Sequence, residues 1–365
     1  MEKLAERQRP YVTSSPFDTA VNASVPVGLP GGRTIRRGIQ LFILFSLAGI
    51  LVSFWWKHPT NILAVFRQIN WGFFPLVLAL VGVDYLLGGL RFRVFFNGRA
   101  LPFVSLWHCM QSNWANLFMG AVTPFQTGGG PAQFYFLWRK GARISDILLA
   151  SAINFTATLL VLLLSCLVAV QFLPPSVHTA QTRLAFETAF GIVGAVLLFF
   201  FLLVLFPQYM TRLFQKLVGW LPGKSPRIQG WKARAMTWFQ TTGQQFHEAI
   251  RFIFRKQVYL LAVALLLTCW LYFNKFLLAY VLARMLQSQV PFWLFLNMQI
   301  IQLFIIYFAP TPGASGVAEL SAVWLIEPLL SPQTVILFAV GWRFFTTLLA
   351  AVLGGIVLFL EVRRS

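Results

Sequence analysis

Asp84, Lys275, Glu319 and Arg343 are ionisable side chains set inside long apolar stretches. Charge at that depth of a hydrocarbon layer is costly, so it marks either a substrate path or a buried structural pair. Arg343 stands roughly ten residues or more from either end of its apolar run, too deep to reach water by extending its side chain. Its planar fork of donors suits a phosphate oxyanion. The plainer alternative is an ion pair with Glu319 or Asp84, and both can hold in different states. Amides accompany these charges. Asn113 and Asn116 fall on one helical face, Asn154 lies in a later apolar run, and Gln299 and Gln302 share a face further on. Such amides either line a polar path or bond between helices; we expect the path.

Two stretches could hold a ligand with backbone as well as side chains. TPFQTGGGPAQ at 123–133 and TPGASGVAE at 311–319 each begin Thr-Pro and run through glycines within a mostly apolar segment. Proline lacks an N–H and glycine tolerates φ > 0, so both read as helix breaks. A break inside a bilayer frees backbone polar groups that protein or water must satisfy, and helix N-termini at the break attract anions. Candidate binding residues of the first stretch are Thr123, Gln126, Gly128, Gly129, Gly130 and Gln133. Those of the second are Thr311, Gly313, Ser315 and Gly316, with Glu319 behind them. For any single glycine, close helix packing is an equally good reason. TGGGPAQ is no P-loop, because the Lys and the Ser/Thr of GxxxxGK[ST] do not follow.

Composition decides what must position these residues. The chain has 365 residues, 58% hydrophobic and 11% charged, where a soluble domain is about a quarter charged. The expected fold is an all-α polytopic membrane protein. A net charge of +19 does not point to nucleic acid, since Lys and Arg are spread between apolar runs rather than along a soluble surface. Cys109, Cys166 and Cys269 are widely spaced without a CxxC and read as buried small hydrophobes. The histidines are scattered with no HExxH, so neither a metal nor another cofactor is expected. Carboxylates are too few for paired acid–base chemistry, and we expect no enzyme.

Hydrophobic runs and basic flanks give about six transmembrane helices plus two re-entrant broken-helix hairpins. Residues 1–32 read as a disordered cytoplasmic tail and 33–365 as one transmembrane domain. Arg91, Arg93, Arg139 and Lys140 flank the first hairpin, which therefore enters from the cytoplasm. As side chains they are topology signals first and headgroup or interface contacts second. The second hairpin has few basic flanks and enters from outside. Between the halves, 207–257 is strongly basic, and Met236, Phe239, Gly243, Phe246, Ile250 and Ile253 recur at helical steps. That pattern predicts an amphipathic helix on the cytoplasmic leaflet. Superimposing Thr123-Pro124 on Thr311-Pro312 brings Asn154 within a residue of Arg343. The halves thus read as an inverted-topology repeat able to rock about the midplane.

At these residues the chain resembles a known family, the transmembrane region of lysylphosphatidylglycerol synthases and its stand-alone, flippase-like relatives. The resemblance rests on Arg91-Phe92-Arg93, Asn116 ahead of the first Thr-Pro motif, Arg139-Lys140-Gly141, the second motif through Glu319, and Arg343. It covers nearly everything after the tail and implies movement of a lipid between leaflets. Two-domain relatives add a soluble aminoacyl-transferase domain; none follows Arg364 here, so aminoacylation is not implied. Many relatives carry Glu-Arg and a nearby Asp where this chain has Ile153-Asn154, which sets its lipid and any proton role of those acids apart. The expectation is flipping of an anionic or modified phospholipid-like molecule in a bacterial inner membrane, with both termini cytoplasmic. Asp84 or Glu319 would couple the movement to protons. Membrane lipids are the expected partners, nucleic acid is not, and a homo-oligomer is left open. The alternatives are a secondary transporter of a small soluble anion or metabolite and a non-transporting membrane scaffold.

Overall fold

The computed structural model describes residues 32–57, 62–172, 180–205, 216, 220, 226–327 and 329–363. Residues 1–31 of the tail expected at 1–32, the loop at Pro174 and Pro175, most of 207–225 and Arg364 lie outside them, and Gly32 already belongs to the first helix. Among the described residues all regular structure is helical. The first half contains α1 (Gly32–Lys57), α2 (Ile62–Arg67), α3 (Phe74–Arg93), α4 (Leu106–Val122), α5 (Gly129–Arg139), α6 (Ile144–Val170) and α7 (Ala180–Leu205). After α8 (Pro226–Lys256) come α9 (Tyr259–Met285), α10 (Phe292–Tyr307), α11 (Val317–Ile326), α12 (Pro332–Arg343) and α13 (Leu349–Arg363). A π-helical stretch, Phe344–Leu348, joins the last two.

Five segments are long and apolar enough to cross a membrane: Ile35–Trp55, Trp71–Arg93, Ile144–Val170, Tyr259–Met285 and Pro332–Arg363. They coincide with five of the expected spans. The sixth falls on α7, whose described apolar part, Phe190–Phe199, is shorter. Leu51, Leu164, Leu266, Trp270 and Val352 are exposed on these helices, as side chains facing lipid must be when every backbone group is satisfied within the helix. The protein is an all-α, multi-pass membrane protein. Cys109 and Cys166 are buried as expected; Cys269 is not, and lies exposed on α9.

Among the described residues three apolar clusters hold the bundle, the smallest being Ala115, Met119, Val122, Ala132 and Leu358, and the other two are its main cores. In the larger, Phe276 of α9, Phe295 and Phe304 of α10 and Phe338 of α12 pack with Val77 and Val81 of α3. The smaller gathers Phe92, Phe95, Phe96 and Leu149 around Phe246, Ile250 and Ile253 of α8. The expectation of a helix lying on lipid is corrected on this point. The apolar face of the C-terminal half of α8 is used against the protein, because the aromatic cluster after α3 presents it a matching apolar surface.

The backbone of α4 is approached from two sides. A Cβ on Gly354 of α13 would collide with the Trp114 carbonyl oxygen, and one on Gly38 of α1 with that of Val122. Small residues allow such contact where apolar attraction between helices is weak. Gly354→Ala is therefore expected to lower stability by about 1–3 kcal/mol or more, as overpacking does. Gly82→Ala, with open space around its Cβ, should stay within about 0.5 kcal/mol. Thermal unfolding of the detergent-solubilised variants, run side by side, checks the difference.

Contacts also fix which ends of the helices lie together. The Asn70 N–H donates to the Met285 carbonyl at 2.9 Å, and Tyr280 stacks edge-on with Phe292 at 5.0 Å. The start of α3, the end of α9 and the start of α10 therefore share one end of the bundle. At the other, α4 folds back along α3, with Gly88 and Gly89 against Asn113 and Met110. Lys140, just past α5, reaches Glu361 of α13. The α4–α5 and α10–α11 hairpins accordingly open toward opposite ends.

Candidate functional site

The two Thr-Pro stretches are breaks, and they break in the same way. Thr123 and Thr311 are extended (φ −121°, ψ 144° and φ −78°, ψ 153°). After each proline come two left-handed residues, Phe125 and Gln126 at φ 52° and 56°, and Gly313 and Ala314 at φ 56° and 58°. Gln126 and Thr127 N–H donate to the carbonyls of Thr123 and Pro124; Ala314 and Ser315 N–H donate to those of Thr311 and Pro312. Three of these left-handed residues carry a Cβ, which costs roughly 1–3 kcal/mol each and persists only where surroundings enforce it. The tips enforce each other: the Phe125 N–H donates to the Pro310 carbonyl at 3.2 Å, and Gly313 lies against Ala121, leaving no room for a side chain.

Beyond this shared backbone the tips differ. The second is closed. Arg343 is 6% exposed and Glu319 2% exposed; the Arg343 Nε donates to Glu319 Oε1 at 3.1 Å. Its other nitrogens donate to the Gly313 carbonyl at 2.9 Å, to Thr347 at 3.1 Å and to Ser315 at 3.4 Å. Glu319 Oε2 accepts from the Gly316 N–H at 2.7 Å. The anion at the N-terminus of α11 is thus its own carboxylate, and the site foreseen for an external phosphate is filled from within. Gly316, at φ 80°, makes the turn that lets Glu319 reach back. From α1, Ser46 donates to Ser315 at 3.1 Å.

The first tip is open. Pro124, Phe125, Gln126 and Thr127 are exposed. Thr123 holds the break by donating to the Met119 carbonyl at 2.7 Å and accepting from the Gly128 N–H at 2.8 Å. Gly129 packs on Asn116, whose amide donates to Gln133 at 2.8 Å, while Gly130 has free space. The amides expected to line a polar path are largely bonded to one another or to a neighbouring helix. Asn116 meets Gln133, Gln299 donates to Gln302 at 2.6 Å, and Gln302 donates to the Ala318 carbonyl at 3.3 Å. Asn113 sits against Gly88.

The remaining charges sort into paired and unpaired. Lys275 and Asp84 form a second internal pair, at 2.7 Å and 2.9 Å to the two carboxylate oxygens. Asp84 and Arg343 are therefore not partners. Arg91 is different. It donates to the Asn154 carbonyl at 2.5 Å and to the Thr158 hydroxyl at 2.7 Å. Its Nε is buried with no partner, as are Asn154 Oδ1 and Ser151 Oγ nearby on α6. Tyr272 of α9 and Tyr307 of α10 lie near it. Among the described residues no carboxylate lies within ion-pair distance of Arg91. A half-buried guanidinium with a free Nε and no acid beside it keeps donor capacity that an anion could use.

Arg93, by contrast, rests over the Phe103 ring at 4.5 Å and donates to the Phe96 carbonyl; Arg139 and Lys140 share Glu361. The structure joins Asn154 to Arg91 rather than to the first tip, so it does not mirror Arg343. Thr158, Tyr272 and Tyr307 were not foreseen. Thr158 lies one helical turn after Asn154 and was legible on that ground; the tyrosines come from helices far away in sequence.

A family model described as the lysylphosphatidylglycerol synthase TM region matches residues 39–354. A UPF0104 membrane protein of Archaeoglobus fulgidus is 24% identical over 312 residues, covering 83% of this chain and 91% of that protein. No solved structure matches.

Proposed function

The chain belongs to the lysylphosphatidylglycerol synthase transmembrane-region family, and on that premise we propose that it moves an anionic or modified phospholipid between the leaflets of a bacterial inner membrane. One observation carries the reading. Two hairpins with the same broken backbone open toward opposite ends of the bundle and touch at their tips. With 17, 11, 16 and 10 residues, their arms are about 15–26 Å long, shorter than the roughly 30 Å hydrocarbon layer. We therefore read both as re-entrant, meeting near the midplane as an inverted repeat does. Rocking of the halves about this contact exposes the interior to one side and then the other. Arg91 supports an anionic cargo, its charge being left over after Asp84, Glu319 and Glu361 have found cations.

The test is flux in proteoliposomes. Fluorescent phosphatidylglycerol placed in both leaflets should become fully bleachable from outside when the protein is present, and remain half protected in empty vesicles. Protection unchanged by the protein, together with uptake of a water-soluble anion, would replace this reading with that of a soluble-anion transporter.

A further inference from the structure

A cavity of about 230 Å³ opens between the start of α4, the end of α5 and the end of α13, well away from the tips. His108 and Gln111 line one wall, and Lys140 and Glu361 the other. Lys140 Nζ sits 2.8 Å from Glu361 Oε2 and 5.3 Å from the Phe136 ring centroid. Arg139 approaches the other carboxylate oxygen at 3.7 Å. Two cations thus share one acid; Lys140 and Glu361 offset each other in the lining, and Arg139, behind Glu361 and outside the lining, leaves the cluster with one positive charge beside a neutral amide and an imidazole. Its rim is apolar: Trp107 is 56% exposed and Leu360 49% exposed. An ammonium, an imidazole and an amide facing one small space match a singly charged phosphate diester. An apolar lip with an exposed tryptophan matches a molecule whose tails stay in the bilayer interface.

We propose that this cavity binds the phosphate of a phospholipid drawn from the leaflet next to Arg139 and Lys140, with Lys140, His108 and Gln111 as its ligands. Glu361 acts as a positioning residue, holding Lys140 across the opening. The proposal extends the translocation reading by naming where a lipid docks first, and docking is measured apart from flux.

The full chain in detergent is titrated with dioctanoyl phosphatidylglycerol and, separately, with inorganic phosphate, and occupancy is read by native mass spectrometry. The lipid is expected to bind at least about tenfold more tightly than phosphate, and Lys140→Ala is expected to weaken it by about tenfold or more. Because Lys140→Ala also disturbs an ion pair, His108→Leu and Gln111→Leu, which break none, are measured beside it and should each weaken the lipid several-fold. Equal affinity for phosphate and lipid overturns the lipid as the source and leaves a free-anion site. Wild-type affinity in all three variants overturns the site. Binding that depends on these residues, with no flux in proteoliposomes, upholds the site and rejects translocation. Flux without such binding does the reverse.

Discussion

Glu319→Ala should unfold this protein more readily than any other single carboxylate change, by about 3–5 kcal/mol, because it strands a buried guanidinium without a counter-ion. The loss is double. Arg343 forfeits its acid, and the Gly316 N–H at the start of α11 forfeits its cap. Arg343→Leu should cost a similar amount by leaving Glu319 buried and unpaired. Replacing both residues with leucine removes the stranded charge, so the double variant should be more stable than the sum of the singles by about 1–3 kcal/mol. Thermal unfolding of the four proteins in one detergent measures the cycle. A strictly additive result, or a Glu319→Ala cost below about 1 kcal/mol, would mean that the pair does not hold the second tip closed. The cycle also bears on function. A guanidinium with a carboxylate, a carbonyl and two hydroxyls around it has little left to offer a phosphate, so we read Arg343 as a residue that shapes the tip.

The second large effect concerns Arg91. Arg91→Gln is expected to reduce lipid flux roughly 10- to 100-fold, the loss of one charge-assisted contact to a phosphate. Stability should fall far less than for Arg343→Leu, since no acid is left unpaired and glutamine can still donate to Thr158. Arg91→Lys should restore part of the flux, because it returns the charge without the planar fork. Flux and unfolding temperature measured on the same preparations separate this from a folding defect. Wild-type flux in Arg91→Gln would remove Arg91 from the path, and a collapse in stability equal to that of Arg343→Leu would make it a structural residue.

Pairing was only partly legible in the chain, where Glu319 and Asp84 stood as alternative partners of Arg343, and the reason is geometric. Asp84, Lys275, Glu319 and Arg343 were visible as costly charges in apolar runs, yet which acid met which base depended on helices distant in sequence. Asp84 lies 191 residues from Lys275, and Glu319 lies 24 residues from Arg343. The same applies to Arg91, which its position at the end of a span marks as a topology signal. Its surroundings come from α6, α9 and α10, and only their convergence leaves it without an acid. Amides were legible as unusual but not all as bonded: Gln299 and Gln302 stand three residues apart on α10, a placement periodicity gives, whereas Asn116 with Gln133 and Gln302 with the Ala318 carbonyl need a placement between helices that it does not.

What the sequence determined by itself was the membrane class, the approximate spans and the two breaks. Each follows from local chemistry, namely apolar length, a missing N–H and freedom at glycine. Equivalent breaks were legible because Thr-Pro dictates the same extended-then-turned backbone in both halves. Tertiary structure alone decided that one tip is sealed and the other open, and that the C-terminal half of α8 turns Phe246, Ile250 and Ile253 to the bundle. These outcomes turn on which surfaces meet, and surfaces are made by residues far apart in the chain.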